Sequence, residues 1–276
     1  MSPVRITVLV ENTASGRGLL GEHGLSFWIE CAGKHILFDT GQTDVFAQNA
    51  AVLGIDLSQA DAIVLSHGHY DHTGGLAIAM QIAPQARVFL HPDALKPKFS
   101  RHADSTVHDL SLRSVAVEEL CLSSRLVLTE QPTEIAPGLF VTGQIPRRNG
   151  FEDLDAGFFH DAACTRPDPL NDDQAMYLRC SKGIVVLLGC AHAGVINTIN
   201  HIRAIGGGPI HAVIGGMHLG GASEARLTAT LDAMQSYEGA LLAPGHCIRT
   251  RQKMLLWHRF ALRCCECDVG SKFKFE

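Results

Sequence analysis

The alternation of hydrophobic and polar positions divides the chain into segments with the character of strands and helices. Short apolar runs bounded by turn residues predict strands, and apolar positions spaced three or four residues apart predict helices. Strands are predicted at residues 4–10, 25–31, 34–38, 62–65, 87–90, 126–129, 139–142, 175–179, 183–188, 211–214 and 239–242. Helices are predicted at about 44–53, 75–82, 195–205 and 223–237.

The order of these segments indicates an α/β fold. Each half of the chain begins with strands that follow one another directly and continues with strands that alternate with helices, which favours mixed sheets covered by helices. No linker or low-complexity tract separates the halves, so we expect one domain over residues 1–276. Residues 91–170 have the weakest pattern, and we expect a loop-rich insert or lid there because long irregular segments often have functional roles.

Composition narrows the class of protein. A chain of 276 residues with 46% hydrophobic residues can bury a substantial core. The net charge of -5 argues against a nucleic-acid partner, since phosphate binding needs a concentrated basic surface. The first ten residues lack the features of a secretion signal, no apolar run matches a membrane helix, and nine scattered cysteines fit reduced thiols. We therefore expect a cytoplasmic protein with no membrane or nucleic-acid partner, and leave a homo-oligomer open.

One short segment carries an unusual density of metal-binding side chains. In residues 66–75, His67, His69, Asp71 and His72 follow the predicted strand at 62–65 and precede a predicted helix. Neutral imidazole and carboxylate groups are ligands for Zn²⁺ and other first-row divalent ions. The alternative is a helix-capping loop whose histidines bind the backbone. We interpret the cluster as one part of a metal site.

Three later strands are each followed by a histidine that has a glycine within two residues. His192, His218 and His246 follow the predicted strands at 183–188, 211–214 and 239–242. Ligands of open α/β sheets collect beyond the carboxyl ends of the strands, so these histidines should converge on the first cluster. His218 is either a site residue or a packed residue at a strand end. Cys190 is either a thiolate ligand that bridges two metals or a small buried residue.

Three further residues are candidates for supporting roles. Asp39 follows the strand at 34–38 and could orient a metal-binding imidazole, or it could be a turn residue or a helix cap. Arg147 and Arg148 could bind an anionic group of a substrate, because the guanidinium group offers several coplanar donors. Solvated surface arginines are the alternative for this pair.

On these residues the chain resembles the metallo-β-lactamase-fold superfamily. The segment from His67 to His72 is its HxHxDH signature, and Asp39, His192 and His246 stand where further motifs are expected. Within the superfamily the chain resembles the branch of proteins similar to dihydropterin ribofuranosyl aminobenzene phosphate synthase. That resemblance rests on segments 66–75, 142–143, 145–147, 189–192, 216–219 and 244–247. It implies an αββα sandwich with two mixed sheets flanked by helices and a dinuclear metal site at one edge.

The resemblance also implies how the ligands divide between two divalent ions, with zinc expected and manganese or iron as alternatives. His67 and His69 would bind one ion with a third ligand, while Asp71, His72 and His246 would bind the other. Many superfamily members have a further histidine before a bridging aspartate in a Gly-Asp element, and this chain has Gly189 and Cys190 in the likely place of that element. Here His192 supplies the missing imidazole, Cys190 bridges the ions, or both contribute.

The predicted function is metal-dependent hydrolysis of a small anionic substrate of the ester or phosphodiester type, possible because paired ions activate water. Asp71 would orient the hydroxide, and His218 or a residue of 91–170 would contact the developing negative charge. Two alternatives remain. One is a synthase or transferase that acts on a phosphorylated pterin precursor, and the other is a non-catalytic metal protein that binds a metabolite. A redox di-iron protein is disfavoured, since His69 stands where the flavo-diiron relatives have a carboxylate.

Overall fold

The structure, a computed structural model, describes residues 3–112, 114–153 and 156–276. Two β-sheets stack on one another, and α-helices cover their outer faces. The strands are β1 (Val4–Val10), β2 (Ser26–Cys31), β3 (Lys34–Phe38), β4 (Ala62–Val64), β5 (Arg87–Leu90), β6 (Phe99–Arg101), β7 (Val107–Asp109), β8 (Leu126–Leu128), β9 (Thr133–Ala136), β10 (Leu139–Val141), β11 (Phe158–Phe159), β12 (Met176–Cys180), β13 (Gly183–Leu188), β14 (Ile210–Gly216), β15 (Leu241–Gly245) and β16 (Lys272–Phe275). The helices are α1 (Val45–Leu53), α2 (Tyr70–Thr73), α3 (Leu76–Ile82), α4 (Ser114–Cys121), α5 (Val195–Gly206), α6 (Glu224–Gln235) and α7 (Thr250–Arg259).

The first sheet has the strand order β16-β1-β2-β3-β4-β5-β8. Strands β16 to β3 are antiparallel, and strands β3 to β8 are parallel. The carboxyl ends of β3 and β4 therefore lie side by side at one edge of the sheet. This places Asp39, which follows β3, next to the histidine-rich loop that follows β4.

The second sheet has the order β15-β14-β13-β12-β10-β9, in which β13, β14 and β15 are parallel. The segments with His192, His218 and His246 follow these three strands and so leave the sheet at the same edge. Strand β15 includes Pro244, although the sequence predicted that this strand ends at residue 242. It continues because β15 is an edge strand, where a residue without an N–H costs no sheet hydrogen bond.

The main core lies between the two sheets. Phe27 and Phe38 of the first sheet and Met176, Leu187 and Ile214 of the second are completely buried in it. Helices α1 and α3 pack on the outer face of the first sheet, and α5, α6 and α7 pack on that of the second. The predicted αββα sandwich is confirmed. None of the helices within the described ranges is long and apolar enough to cross a membrane.

The span 91–170 contributes to all three sheets of the described structure. Its strand β8 joins the first main sheet, and β9 and β10 join the second. Strands β6, β7 and β11 form a separate three-stranded sheet, called the small sheet below. The sequence did not predict the small sheet because its strands are very short and β7 is fully exposed, so no alternation of buried and exposed positions marks them. Strands β9 and β16 and helices α4 and α7 were also not predicted.

Candidate metal centre

The loop that follows β4 brings four of the predicted ligands together. His67 and His69 lie in the loop, and Asp71 and His72 lie in the single turn of α2. The carboxylate of Asp39 fixes the start of this loop, because its Oδ1 accepts a 2.7 Å hydrogen bond from the backbone N–H of residue 66. The ligands are therefore held by a strand on one side and a helical turn on the other.

Three buried histidines form one ligand set. His67, His69 and His192 each offer a ring nitrogen within 4.8 Å of the others, and Nε2 of His67 lies 3.0 Å from Nδ1 of His69. Among the described residues, no hydrogen-bond partner exists for either ring nitrogen of His192 or for Nε2 of His69. Buried polar atoms without partners are rare in proteins. A metal ion would satisfy these nitrogens, so the three-histidine set fits the implied cofactor.

A second ligand set lies beside the first and contains a carboxylate and a thiol. Nε2 of His72 lies 3.1 Å from Nε2 of His246 and 3.2 Å from Sγ of Cys190. Oδ2 of Asp71 lies 3.2 Å from Nε2 of His246 and 3.8 Å from Nε2 of His72. Imidazole, carboxylate and thiolate ligands occur together in zinc sites. This second set also fits a divalent metal ion.

Cys190 belongs to the second ligand set and also lies next to the first. Its Sγ is within 4.8 Å of ligand nitrogens of both His67 and His72. Burial raises the pKa of the Cys190 thiol. Cys190 and His192 both lie at the candidate metal centre. Each is therefore placed where it could act as the ligand that the sequence analysis considered, His192 through its imidazole and Cys190 as a bridge. Cys247, which was not predicted, lies beside Cys190 and His218, and its Sγ accepts a 3.0 Å hydrogen bond from the N–H of His218.

His23 is a further site residue that the sequence analysis missed. Its Nε2 lies 3.2 Å from Oδ2 of Asp71, and it forms a potential ligand group with Asp71 and His246. The side chain is 57% exposed. It belongs to the glycine-rich connection between β1 and β2, where no neighbouring ligand residue marked it. The only signal was a histidine close to two glycines.

The electrostatic environment separates the histidines into two types. Burial lowers the pKa of His67 and of His192 well below the ordinary value, and burial together with the charge of Lys98 lowers the pKa of His69 to about 3. These imidazoles are neutral and can donate a lone pair to a metal. Burial also opposes charge on His72, but the carboxylates of Asp39 and Asp71 outweigh it and raise the pKa of His72 to about 9. A proton and a metal ion therefore compete for this imidazole.

Buried carboxylates hold the loops that carry the ligands. Each accepts a hydrogen bond from the backbone N–H of a ligand residue or of its direct neighbour, which fixes the loop without occupying the imidazole. The bonds run from Gly68 to Asp172 (2.8 Å), from Ala193 to Asp173 (2.7 Å) and from His246 to Glu11 (2.6 Å). These carboxylates were not predicted, because each lies far from its partner in sequence and belongs to no recognisable motif.

A cavity of about 410 Å³ opens above both ligand sets. The small sheet forms one of its walls, with Ser100 and Phe158 among the lining residues. The ring of Phe158 lies 5.2 Å from that of His69 and 5.3 Å from that of His192, so it covers the three-histidine set. Arg101 also lines the cavity, and its guanidinium group lies over the Phe159 ring, 4.9 Å from the ring centre. The cavity has room for a small substrate next to both sets.

His218 and the two predicted substrate-binding arginines have different positions. His218 lines the cavity, and its ring lies 4.2 Å from that of His192. Arg147 donates instead to the carbonyl oxygen of His192 at 3.4 Å, and Arg148 lines a separate cavity together with Asn197. Their role in substrate binding stays a prediction, and neither arginine lines the cavity above the ligands. The reason is that Asn197 binds the backbone N–H of Arg148 and holds the segment there.

The sandwich and the two ligand sets define a metallo-β-lactamase-type fold with a site suited to divalent metals. The chain belongs to the metallo-β-lactamase superfamily, because the model of that family matches residues 20–246. Membership implies that the protein binds divalent metal ions. The HxHxDH motif at residues 67–72 lies within the matched range.

Three relatives cover nearly the whole chain. One is the 7,8-dihydropterin-6-methyl-4-(beta-D-ribofuranosyl)-aminobenzene-5'-phosphate synthase of Methanocaldococcus jannaschii, which is 29% identical over 99% of this chain and 97% of its own length. An uncharacterized protein of the same organism is 32% identical over 88% of this chain and 90% of its own. A solved metal-dependent hydrolase of the β-lactamase superfamily has a TM-score of 0.83 and 30% identity, with 98% of both chains covered. The predicted resemblance to the synthase branch is confirmed.

Proposed function

We propose that the protein is a metal-dependent hydrolase with a dinuclear centre that cleaves a small, anionic substrate of the ester or phosphodiester type. The observation that carries the proposal is the adjacency of the two ligand sets. The ligand atoms of His67, His72 and Cys190 lie within 4.8 Å of one another, although these residues belong to different sets. Two ions held in this way would lie close enough to act on one substrate group.

The donor atoms favour zinc as the native metal, with manganese or iron as alternatives. Imidazole nitrogen and thiolate sulfur suit zinc better than magnesium or calcium, which prefer oxygen ligands. When bound, two divalent ions supply polarisation of the scissile group and an attacking hydroxide near neutral pH. We infer a cytoplasmic location from the cysteines, all of which are free thiols in the described structure.

Residues around the cavity would have separate roles in the reaction. Asp71 lines the cavity and would orient the attacking water through its carboxylate, while His218 would contact negative charge that develops on the substrate. Phe158 would exclude water from the three-histidine set, since its ring stacks over His69. We propose that the small sheet is the part of the span 91–170 that acts as a lid.

The test is a substrate screen on protein reconstituted with zinc, manganese or iron. The panel contains phosphodiester, phosphomonoester, lactone, thioester and β-lactam substrates. We expect hydrolysis of at least one class, and a loss of more than about 100-fold in His67→Ala and Asp71→Asn, beyond the effect of a residue that only supports a ligand. Asp61→Asn is the control, because Asp61 binds Lys34 at the surface. Metal-loaded protein without turnover on any class would contradict the proposal and favour a metabolite-binding protein.

The synthase named among the relatives supports a second candidate function. That relative matches almost the entire chain, so this protein could act as a synthase or transferase on a phosphorylated pterin precursor. A test with phosphorylated pterin and aminobenzene substrates distinguishes the two functions. Release of pyrophosphate or formation of a pterin conjugate, without hydrolysis of the simple esters, would favour the synthase.

A further inference from the structure

A lysine is completely buried behind the loop that carries His67 and His69. The side chain of Lys98 is 1% exposed, and its Nζ donates hydrogen bonds to Oδ2 of Asp168 at 2.8 Å and to Oδ1 of Asp172 at 2.9 Å. Buried charges are costly unless they are paired. The ammonium group of Lys98 is paired with two carboxylates that are equally buried. None of these three residues lines the cavity above the ligands.

One of the two carboxylates connects the lysine to the metal-binding loop. The second oxygen of Asp172 accepts a 2.8 Å hydrogen bond from the N–H of Gly68, the residue between His67 and His69. The loop also lies directly against the lysine. A Cβ atom at Gly68 would lie 2.8 Å from Cε of Lys98 and 2.4 Å from the carbonyl oxygen of Ala94. The backbone at Gly68 is therefore held by a hydrogen bond and by close packing.

The other carboxylate has a matching set of bonds that does not reach the loop. Oδ2 of Asp168 accepts from Lys98, and Oδ1 accepts a 2.7 Å hydrogen bond from the N–H of Leu170. The backbone N–H of Asp168 donates to the carbonyl oxygen of Phe158 in the small sheet. Asp168 and Asp172 thus share their lysine and their burial, but only Asp172 contacts the segment between two metal ligands.

We infer that Lys98 and Asp172 are positioning residues that hold His67 and His69 in the geometry for tight metal binding. The inference rests on the metal centre of the proposed function, but not on hydrolysis. The network acts through Gly68, because a shift of its backbone would move the histidines on both sides. Outer contacts of this kind commonly change metal affinity by about 10- to 100-fold. A network that only stabilises the fold would leave metal affinity unchanged in a folded variant.

The test compares Asp172→Asn with Asp168→Asn. Each variant replaces one oxygen by an N–H₂ group that only donates, so each disturbs one contact to Lys98 or to the backbone. Metal-free proteins are titrated with Zn²⁺ in competition with a coloured chelator, and with Co²⁺ to record the ligand-field spectrum, both without substrate. We expect Asp172→Asn to bind one of two metal equivalents about 10- to 100-fold more weakly and with an altered spectrum. Asp168→Asn should bind both equivalents as the wild type does.

Equal affinities and spectra for Asp172→Asn and the wild type would overturn the inference, and so would equal weakening in the two aspartate variants. A wild-type protein that binds no metal would instead overturn the metal centre of the proposed function. If Asp172→Asn does not fold, Gly68→Ala tests the same loop, because its new Cβ displaces Lys98 or Ala94. Its control is Gly150→Ala, where a Cβ meets no atom within 4 Å. The same selective weakening is expected, and its absence contradicts the inference.

Discussion

Oδ2 of Asp39 lies 2.7 Å from Nδ1 of His72, and both side chains are completely inaccessible to solvent. The bond assigns the proton to Nδ1, so that Nε2 is directed to His246 and Cys190. The two residues are far apart in sequence and meet because β3 and β4 are parallel neighbours. The orientation of His72 in the second ligand set therefore depends on Asp39, a carboxylate from the segment that follows β3.

Replacing this carboxylate tests its role in orienting His72. In Asp39→Asn, the amide is a weaker acceptor and carries no charge, so we expect about 10- to 100-fold weaker binding of one metal equivalent. Zinc titration of the metal-free variant measures the change. Asp61→Asn, which affects a partly exposed ion pair with Lys34, should not change zinc binding. An affinity of Asp39→Asn equal to that of the wild type would show that Asp39 only supports the turn.

The buried pair of Lys98 and Asp172 predicts how stability depends on pH. Burial alone would raise the pKa of the Asp172 carboxyl, but the ammonium group of Lys98 outweighs it and the pKa lies below the ordinary value. The folded state therefore binds this proton less readily than the unfolded state. The stabilisation is present above about pH 4, the pKa of an unperturbed aspartate, and is lost as the pH falls further.

Denaturation of the metal-free protein between pH 3 and pH 7 measures this dependence. Lys98→Met should be about 3–5 kcal/mol less stable than the wild type at pH 7, because Asp172 then remains buried without the ammonium group that pairs with it. The difference should shrink as the pH falls, since protonation of Asp172 removes its unpaired charge. A difference that stays constant down to pH 3 would argue that the variant loses packing rather than an ion pair.

His23 is expected to contribute less to metal binding than His246, although both contact Oδ2 of Asp71. The side chain of His23 is 57% exposed, so water can replace it, whereas His246 is buried. We expect His23→Ala to weaken zinc binding by less than about tenfold and His246→Ala by more than about 100-fold. Equal losses in the two variants would make His23 a full ligand.

The core between the two sheets predicts a large loss of stability when one of its large side chains is truncated. Phe27 and Phe38 are completely buried, with ring centres 6.2 Å apart. Phe27→Ala should lower the free energy of unfolding by about 3–5 kcal/mol, measured by chemical denaturation. Leu262→Ala, at a fully exposed position, should change it by less than about 0.5 kcal/mol. A small loss at Phe27 would mean that the sheets repack easily.

Most of the sandwich and of the ligand sets could be predicted from sequence because the signals are local. The apolar runs at β3, β4 and β13 are long enough to indicate buried strands, and the ligands follow such strands directly. His23 could not be predicted, because only the folding of its loop brings it to Asp71.

Contacts that form only on folding also explain why other features could not be predicted. These features are the small sheet, the buried lysine and the positions of the two arginines. β6 and β7 have no apolar periodicity, and nothing near Lys98 in sequence indicates that Asp168 and Asp172 will enclose it. Arg147 was a candidate for substrate binding because of its chemistry alone, and the fold brings its guanidinium group to the carbonyl oxygen of His192. Contacts between distant segments decide these roles.

The central claim is that the two ligand sets hold two metal ions. Elemental analysis of protein purified without added metal, after removal of weakly bound ions, tests it most directly. We expect two equivalents of a first-row divalent metal per chain, with zinc the main component. Fewer than about one equivalent, together with no tight uptake of zinc by the metal-free protein, would contradict the dinuclear centre.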